Sequence, residues 1–276
     1  MTKKLLIAAG DSWTDETEEC YHNAGMTEVW PNHVANFFDW DLINIGKGGA
    51  SNDFIMGKAI DAITQNKDRD LVVMVGWTQS QRFVPYELPV GQLTHTFMMP
   101  ELVPPFGVYK TKAQEAVRNL AMCHVGVHPE GQVPLMSRKE FWQLVGNISL
   151  RSIFILDNFC KTQNIPIIHG RALHTLGGIE WILKPEINFE RRTQVIEACK
   201  ETTYYDYIMN MENTVGDSNW FKEKSAWFDV YARYHISINE KHPNDKGMHL
   251  ISHSFVNKYL ELFGDGSESE PAYVYD

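Results

Sequence analysis

The sequence predicts an α/β protein of three layers, in which helices cover both faces of a parallel sheet of about four or five strands. Two observations indicate this class. Short, wholly apolar runs recur along the first part of the chain, and segments with helical spacing separate them. A strand loses its alternation of polar and apolar residues when both of its faces are buried, as in a parallel sheet. Strands that alternate with helices are typical of the βαβ unit. We therefore expect a flavodoxin-like arrangement.

The elements follow in order along the chain. A helix begins at Trp30 and Pro31, because proline suits a first helical turn. Another carries Met56, Ile60 and Ile63 at helical spacing. The predicted strands cover residues 5–9, 41–46, 70–76 and 164–170.

Two later helices are also predicted. Ser137 and Glu140 resemble a capping box that opens a long helix. The apolar face predicted for that helix comprises Phe141, Val145, Ile148, Ile155 and Phe159. The final helix presents Met248, Ile251, Phe255, Tyr259 and Leu262 on one face. The acidic stretch between Asp15 and Thr27 is predicted to be a loop.

The organisation is that of a single domain over residues 1–263, followed by an acidic tail at 264–276. Prolines exclude long regular elements from an irregular insert at about 83–134. An insert of this length within a compact domain is usually functional, as a lid or a binding loop.

Composition excludes several classes of partner. The net charge of -10, without a basic cluster, argues against nucleic acid. No apolar stretch approaches the roughly 20 residues of a membrane helix, and the first residues lack the apolar core of a signal peptide. The four cysteines form no C-x-x-C pair and are expected to be reduced. A cytoplasmic protein is therefore predicted; the oligomeric state stays open.

Small and polar residues follow three of the predicted strands, at Gly10-Asp11-Ser12, Gly46-Lys47-Gly48-Gly49 and Gly76-Trp77-Thr78-Gln79. A parallel sheet brings these strand exits to one edge, where ligands bind in this class. The Ser12 hydroxyl would then lie near the amides of a glycine-rich turn. This arrangement suits attack on a carbonyl, with amides receiving the oxyanion. The alternative is that Asp11 and Ser12 only cap the next helix.

A serine hydroxyl needs a base, and His242 is the best placed of the eleven histidines. It lies in a polar loop before the final helix, and Pro243 biases its backbone away from helical geometry. The alternative is an ordinary surface histidine.

No metal or cofactor is predicted. His249 and His253 are four residues apart on a helix, a spacing that can share a metal, but the helix packs inward and no acidic ligand accompanies them. Cys123, His124 and His128 lie together in the insert, without an identified fourth ligand.

These motifs resemble the SGNH, or GDSL-like, hydrolases. Gly10-Asp11-Ser12 is similar to the family's first block, with Ser12 as nucleophile. Asn44-Ile45-Gly46-Lys47-Gly48-Gly49 is similar to the second, in which Gly49 matches the oxyanion glycine. Gly76-Trp77-Thr78-Gln79 and His242-Pro243 occupy the places of the third and fourth blocks. The resemblance extends from residue 5 to about 260.

The chain departs from the family pattern at two positions. Thr78 stands where the family has an asparagine that donates to the oxyanion, and Gln79 and Asn52 are nearby substitutes. Asn239 stands where the family has the aspartate that orients the histidine. An asparagine can orient an imidazole but does not stabilise its positive charge as a carboxylate does. Glu240 and Asp245 are alternative carboxylates outside the motif.

The resemblance implies a serine-dependent carboxylic-ester hydrolase, without a cofactor, on the SGNH fold. The implied roles are Ser12 as nucleophile, His242 as base and Asn239 as orienter, with Ser12, Gly49 and Thr78 around the oxyanion. Asp11 is expected to hold the turn. The expected substrate is a small acyl ester, such as an acetylated carbohydrate, with the insert at 83–134, Trp13 and Trp77 as a sugar-binding wall.

The rival reading is a weakened or inactive binding or structural module on the same fold. The glycine-rich second block together with Gly76-Trp77-Thr78 resembles phage-type versions of the family. Such a chain could be a virion-associated component, assembled as a homo-oligomer or with other virion proteins.

Overall fold

A computed structural model of the protein describes residues 3–78, 82–83, 97–98, 138–171, 197, 200, 201–215, 233–237 and 242–264. Asn239, Gln79, most of the predicted insert, Cys123, His124, His128 and the tail beyond Gly264 lie outside these ranges. Within the ranges, none of the helices combines the length and the apolar character needed to cross a membrane.

The described elements alternate as predicted. The strands are β1 (Leu5–Gly10), β2 (Asp41–Asn44), β3 (Leu71–Trp77), β4 (Arg82–Phe83), β5 (Phe97–Met98) and β6 (Ile167–Arg171). The helices are α1 (Glu19–Asn23), α2 (Trp30–Phe38), α3 (Asn52–Gln65), α4 (Arg138–Thr162), α5 (Tyr205–Met209) and α6 (Asp245–Phe263).

Four parallel strands form the main sheet, in the order β2-β1-β3-β6. Leu5 pairs with Asp41 on one side and with Leu71 on the other, and Val73 pairs with Ile167. Strands β4 and β5 form a separate antiparallel pair. The parallel sheet with β1 at its centre confirms the predicted fold class.

Side chains that alternate along β1 enter two different cores. Leu5, Ile7 and Ala9 pack with α3 and α4 on one face of the sheet. Leu6 and Ala8 pack with α2 and α6 on the other face. Because helices cover both faces, every position of β1 is buried, which explains its wholly apolar sequence. The protein therefore has the three predicted layers.

The structure corrects three details of the predicted elements. The loop predicted between Asp15 and Thr27 contains the short helix α1. Ile155 of α4 is exposed, and the helix instead buries the stripe of Leu150, Ile153, Leu156 and Cys160. Both stripes of α4 are apolar, so periodicity alone could not choose between them. The fourth strand begins at Ile167, three residues later than predicted.

Candidate active site

Ser12 lies in a single helical turn that follows β1. The amides of Thr14 and Asp15 donate to the carbonyl oxygen of Asp11, at 2.9 and 3.0 Å. The Tyr21 hydroxyl donates to the carbonyl oxygen of Ser12 at 3.0 Å. Ser12 itself is 9% exposed. The backbone of the predicted nucleophile is therefore held at the carboxyl end of the central strand, where the sequence predicted it.

Asp11 connects this turn to the end of β3. Its carboxylate is buried and accepts from the Trp13 amide at 3.1 Å and from the Thr78 hydroxyl at 2.8 Å. These contacts agree with a structural role for Asp11. A threonine hydroxyl has one proton, and the bond to Asp11 uses it. In this arrangement Thr78 has no hydroxyl proton to donate to an oxyanion.

Asn52, the described substitute for that donor, is also engaged. Its side-chain amide donates to the Thr78 carbonyl oxygen at 3.1 Å and to the Ser149 hydroxyl. Its side-chain oxygen accepts from the Thr78 amide at 2.9 Å. The end of β3 is therefore joined to the start of α3 by a reciprocal pair of hydrogen bonds, and Asn52 acts as part of this joint.

A second turn, at residues 47–50, packs on the turn that contains Ser12. The Ala50 amide donates to the Lys47 carbonyl oxygen at 3.0 Å, and Gly49 adopts a left-handed conformation with φ 74°. The Lys47 amide donates to the Gly10 carbonyl oxygen at 3.0 Å, and the Gly48 amide donates to Asp15 at 2.9 Å. Backbone hydrogen bonds thus join the turns that carry Ser12 and Gly49.

Close packing within the first turn requires glycine at Gly10, and close approach of the two turns requires it at Gly46. A Cβ at Gly46 would lie 2.5 Å from the carbonyl carbon of Thr14, and a Cβ at Gly10 would lie 2.0 Å from the Thr14 Oγ1. Both separations are shorter than any van der Waals contact. These glycines of the first and second sequence blocks are therefore explained by packing.

Asp15 stabilises the second turn as an ionised carboxylate. Burial alone would raise its pKa, but hydrogen bonds from Thr17 and from the Gly48 amide, with the charge of Lys47, hold the pKa below its usual value. The Lys47 Nζ lies 3.7 Å from the Asp15 Oδ2. The contact between the two turns therefore contains an ionised carboxylate, and both of its oxygens accept hydrogen bonds.

His242 lies beside the segment that follows Ser12. Its carbonyl oxygen accepts from the Ile236 amide at 2.9 Å, and Asn244 caps α6 by accepting from the Gly247 amide at 3.0 Å. The Tyr21 ring meets the imidazole edge-on, with centroids 5.6 Å apart at an interplanar angle of 89°. Tyr21 therefore contacts both Ser12 and His242, which are far apart in the sequence. Asn239 and Glu240 lie outside the described residues.

Glu18 is a candidate site residue that the sequence analysis missed. One of its carboxylate oxygens lies within 4.8 Å of a ring nitrogen of His242. Burial and the charge of Asp15 raise the pKa of Glu18, while His242 and Lys47 oppose that shift. No motif points to it, because it lies in an acidic stretch and approaches His242 only in the folded chain. With Cys20 it also offers metal-ligand atoms beside His242.

Trp13 and Trp77 take no part in the sugar-binding wall that was predicted to include them and the insert, most of which lies outside the described residues. Trp13 is 4% exposed and Trp77 is fully buried. The Trp77 indole N–H donates to His169 at 2.9 Å, in the core. Both rings are core residues because both sheet faces at the strand exits are covered by helices.

A cavity of about 870 Å³ opens elsewhere, near the amino end of β6. Its lining includes Lys161, Pro166, Tyr207, Asn213 and Phe263. The amino and carboxyl ends of parallel strands lie at opposite edges of a sheet. This cavity is therefore separate from the Ser12 turn.

No protein-family model matches the chain, and no curated protein matches it. Several solved structures are similar over nearly the whole chain. A catalytic mutant of Axe2, an acetylxylan esterase from Geobacillus stearothermophilus, is 14% identical, with 93% of each chain covered and a TM-score of 0.41. A protein assigned to the lipolytic G-D-S-L family, from Desulfitobacterium hafniense DCB-2, is 12% identical, with 92% of this chain and 98% of that chain covered and a TM-score of 0.41.

The acetyl xylan esterase AlAXEase is 10% identical, with 92% of this chain and 98% of that chain covered and a TM-score of 0.39. Identities and scores of this size assign neither a substrate nor site residues. The fold class stands on the strand order and on the two packed faces of the sheet.

Proposed function

We propose that the protein is a serine-dependent ester hydrolase. The Ser12 hydroxyl gives its proton to His242 as its oxygen bonds to the acyl carbon, and the carbonyl oxygen becomes an oxyanion near the amides of Ser12 and Gly49. The C–O bond then breaks, and the departing alcohol takes the proton from His242. Water, deprotonated by His242, releases the acid and restores Ser12.

One observation carries this proposal: Tyr21 donates a hydrogen bond to the Ser12 backbone and packs its ring on His242. A single buried side chain thus bridges the two residues that the reaction requires. The glycine-rich turn at 47–50 is bonded to the same segment, which supports a role for its amides.

The imidazole gains a positive charge during the reaction, and a carboxylate nearby stabilises it. The family motif predicts Asn239 as the orienter, which brings no charge. Glu18 supplies a carboxylate within 4.8 Å of His242, inside the range of about 4–6 Å at which opposite charges favour the ionised form. We assign to Glu18 the electrostatic role and keep Asn239 as the orienting residue.

The substrate class that we propose is a small acyl ester, and more narrowly an O-acetyl group on a carbohydrate. The resemblance of the four sequence blocks to the SGNH hydrolases supports this class. Acetate release from acetylated xylo-oligosaccharides, compared with p-nitrophenyl acetate and a long-chain ester, distinguishes the carbohydrate from simpler esters.

The test compares p-nitrophenyl acetate hydrolysis by the wild type and by Ser12→Ala. Loss of a serine nucleophile typically lowers kcat by about 10⁴-fold or more. Ser254→Ala is the control, since that hydroxyl donates to the Leu250 carbonyl within α6. A fluorophosphonate probe should label the wild type and not Ser12→Ala. Equal background rates and no labelling would refute the proposal for this substrate class.

A second candidate is a binding or structural module, including a virion component of the phage type. The engagement of Thr78 by Asp11 and of Asn52 by Thr78 favours it, because the two predicted side-chain donors that the structure describes are used internally. Binding of a carbohydrate without any ester turnover would support this candidate.

A further inference from the structure

A carboxylate, a thiol and an imidazole converge beside the turn at 47–50. Glu18, Cys20 and His242 each offer one ligand atom, and these three atoms lie within 4.8 Å of one another. All three residues are half-buried. Across the described part of the chain, no other set of three or more His, Cys, Asp or Glu side chains is arranged in this way.

The backbones that carry these side chains are held in place. The Glu18 carbonyl oxygen accepts from the Tyr21 amide at 3.1 Å, and the Cys20 carbonyl oxygen accepts from the Ala24 amide at 3.1 Å. On the other side, the His242 carbonyl oxygen accepts from the Ile236 amide at 2.9 Å. The backbone on both sides of the cluster is therefore held by hydrogen bonds, and rotation about side-chain torsions is the motion open to the three ligand atoms.

Gly48 provides the space that the carboxylate occupies. A Cβ on Gly48 would lie 1.6 Å from the Glu18 Oε1, so any larger residue would displace this carboxylate. The carboxylate is thus packed against the backbone and directed towards His242 and Cys20.

We propose that Glu18, Cys20 and His242 bind Zn²⁺, with water as a fourth ligand. Zinc accepts carboxylate oxygen, thiolate sulfur and imidazole nitrogen in tetrahedral geometry. Its bond lengths place ligand atoms about 3.4–3.6 Å apart, so separations of up to 4.8 Å close by at most about 1.4 Å. Mg²⁺ and Ca²⁺ are excluded as the preferred ions, because they favour oxygen ligands throughout.

Zinc binding has two chemical consequences. The Cys20 thiol must lose its proton, which passes to solvent, and the ligating nitrogen of His242 gives its lone pair to the metal. If His242 is the base of the proposed function, the zinc form cannot hydrolyse esters. This inhibitory consequence rests on the proposed function, whereas the metal site does not.

The first experiment measures binding without substrate. The full-length protein is stripped with a chelator, and its Zn²⁺ affinity is measured by competition with a chromophoric chelator. We expect one Zn²⁺ per chain, with the affinity at least tenfold weaker in Cys20→Ser and in Glu18→Gln. Glu19→Gln, an exposed neighbour, is the control and should bind as the wild type does. Absent stoichiometric binding, or equal affinity in Cys20→Ser, would overturn the proposal.

Co²⁺ provides a second readout that identifies the sulfur ligand. A bound thiolate gives a charge-transfer band in the near ultraviolet, which should be present in the wild type and in Glu19→Gln. The band should be lost in Cys20→Ser. A wild type that binds Co²⁺ without this band would overturn the assignment of Cys20.

The final arm separates the two proposals. Saturating Zn²⁺ should lower p-nitrophenyl acetate hydrolysis at least tenfold in the wild type, and half-maximal inhibition of Cys20→Ser should need at least tenfold more Zn²⁺. Zinc binding in a protein whose turnover is independent of Ser12 would refute the ester hydrolase and support the metal site. Turnover that depends on Ser12 in a protein that does not bind zinc would refute the metal site and support the ester hydrolase.

Discussion

The buried pair of Asp157 and His169 lends itself to a quantitative test of the fold. Both side chains are fully buried, and the His169 Nε2 lies 3.1 Å from the Asp157 Oδ1. The Trp77 indole N–H donates to the His169 Nδ1 at 2.9 Å, so this nitrogen is an acceptor. The imidazole is therefore neutral, with its proton on Nε2 and directed at Asp157. Burial lowers the pKa of His169, in agreement with the neutral form.

Asp157 is the acceptor at the centre of this network. Besides His169 it accepts from Lys161 at 2.7 Å, from Asn213 at 2.8 Å and from the Tyr207 hydroxyl. Burial would raise its pKa, but hydrogen bonds from His169, Lys161 and Tyr207 outweigh burial and lower the pKa well below its usual value. The carboxylate thus stays ionised and links α4, β6 and α5.

Replacing Asp157 by Asn removes the charge and turns one acceptor atom into a donor. The amide then faces donor groups of Lys161 and Tyr207, so two hydrogen bonds to a charged acceptor are lost, at about 1.5–3 kcal/mol each. Lys161 is 52% exposed and can regain water, which places the net loss near the low end, at about 3 kcal/mol. The expected result is a lower free energy of unfolding by this amount.

Urea unfolding followed by tryptophan fluorescence measures the change. Asp61→Asn makes the same substitution at an exposed site of α3 and should alter stability by less than about 0.5 kcal/mol. A loss below about 1 kcal/mol in Asp157→Asn would refute the reasoning that the carboxylate is the central acceptor.

Three further predictions follow from the structure. The free energy of unfolding should fall as the pH drops below about 6.5 and fall further below about 4. Folding lowers the pKa values of both His169 and Asp157, so the unfolded chain binds more protons than the folded chain at these pH values. Urea midpoints that do not change between pH 7 and 4 would contradict this prediction. Gly46→Ala should destabilise the protein by about 2 kcal/mol or more, because the new Cβ would lie 2.5 Å from a backbone carbon. Gly57→Ala is the control and should not destabilise the protein, because the space around Gly57 is open. Equal thermal midpoints for the two variants would contradict the clash at Gly46. Tyr21→Phe should lower the free energy of unfolding by about 1 kcal/mol, because it removes the hydrogen bond to the Ser12 carbonyl oxygen. An unchanged urea midpoint would show that water replaces this bond.

Much of the fold was predictable because local pattern and tertiary environment agree. The runs of β1 and β3 are apolar throughout, a composition typical of strands covered on both faces. The hydrophobic periodicity of α4 did not predict its buried face. This helix has two apolar stripes, and only the position of the sheet decides which one is buried.

Predictions about the site located its turns where they depended on local sequence and were wrong where they depended on tertiary packing. Gly46 lies in a recognisable motif, but the reason for glycine there, the close approach of the Thr14 backbone, is visible only in the structure. Trp13 and Trp77 were misread as a sugar-binding wall, because an aromatic residue at a strand exit has the same sequence whether it faces a cleft or the core. Thr78 was read as a donor to substrate, but its proton is directed at Asp11.

The sequence by itself determined the three-layer class, the order of the strands along the chain and the glycine-rich turns, since each depends on local composition and backbone freedom. Only the tertiary structure decided which side chains meet there. Glu18 and Cys20 approach His242 from the opposite end of the chain, and no local pattern marks this approach, because it arises where the segment before α6 contacts α1 through His242 and Tyr21.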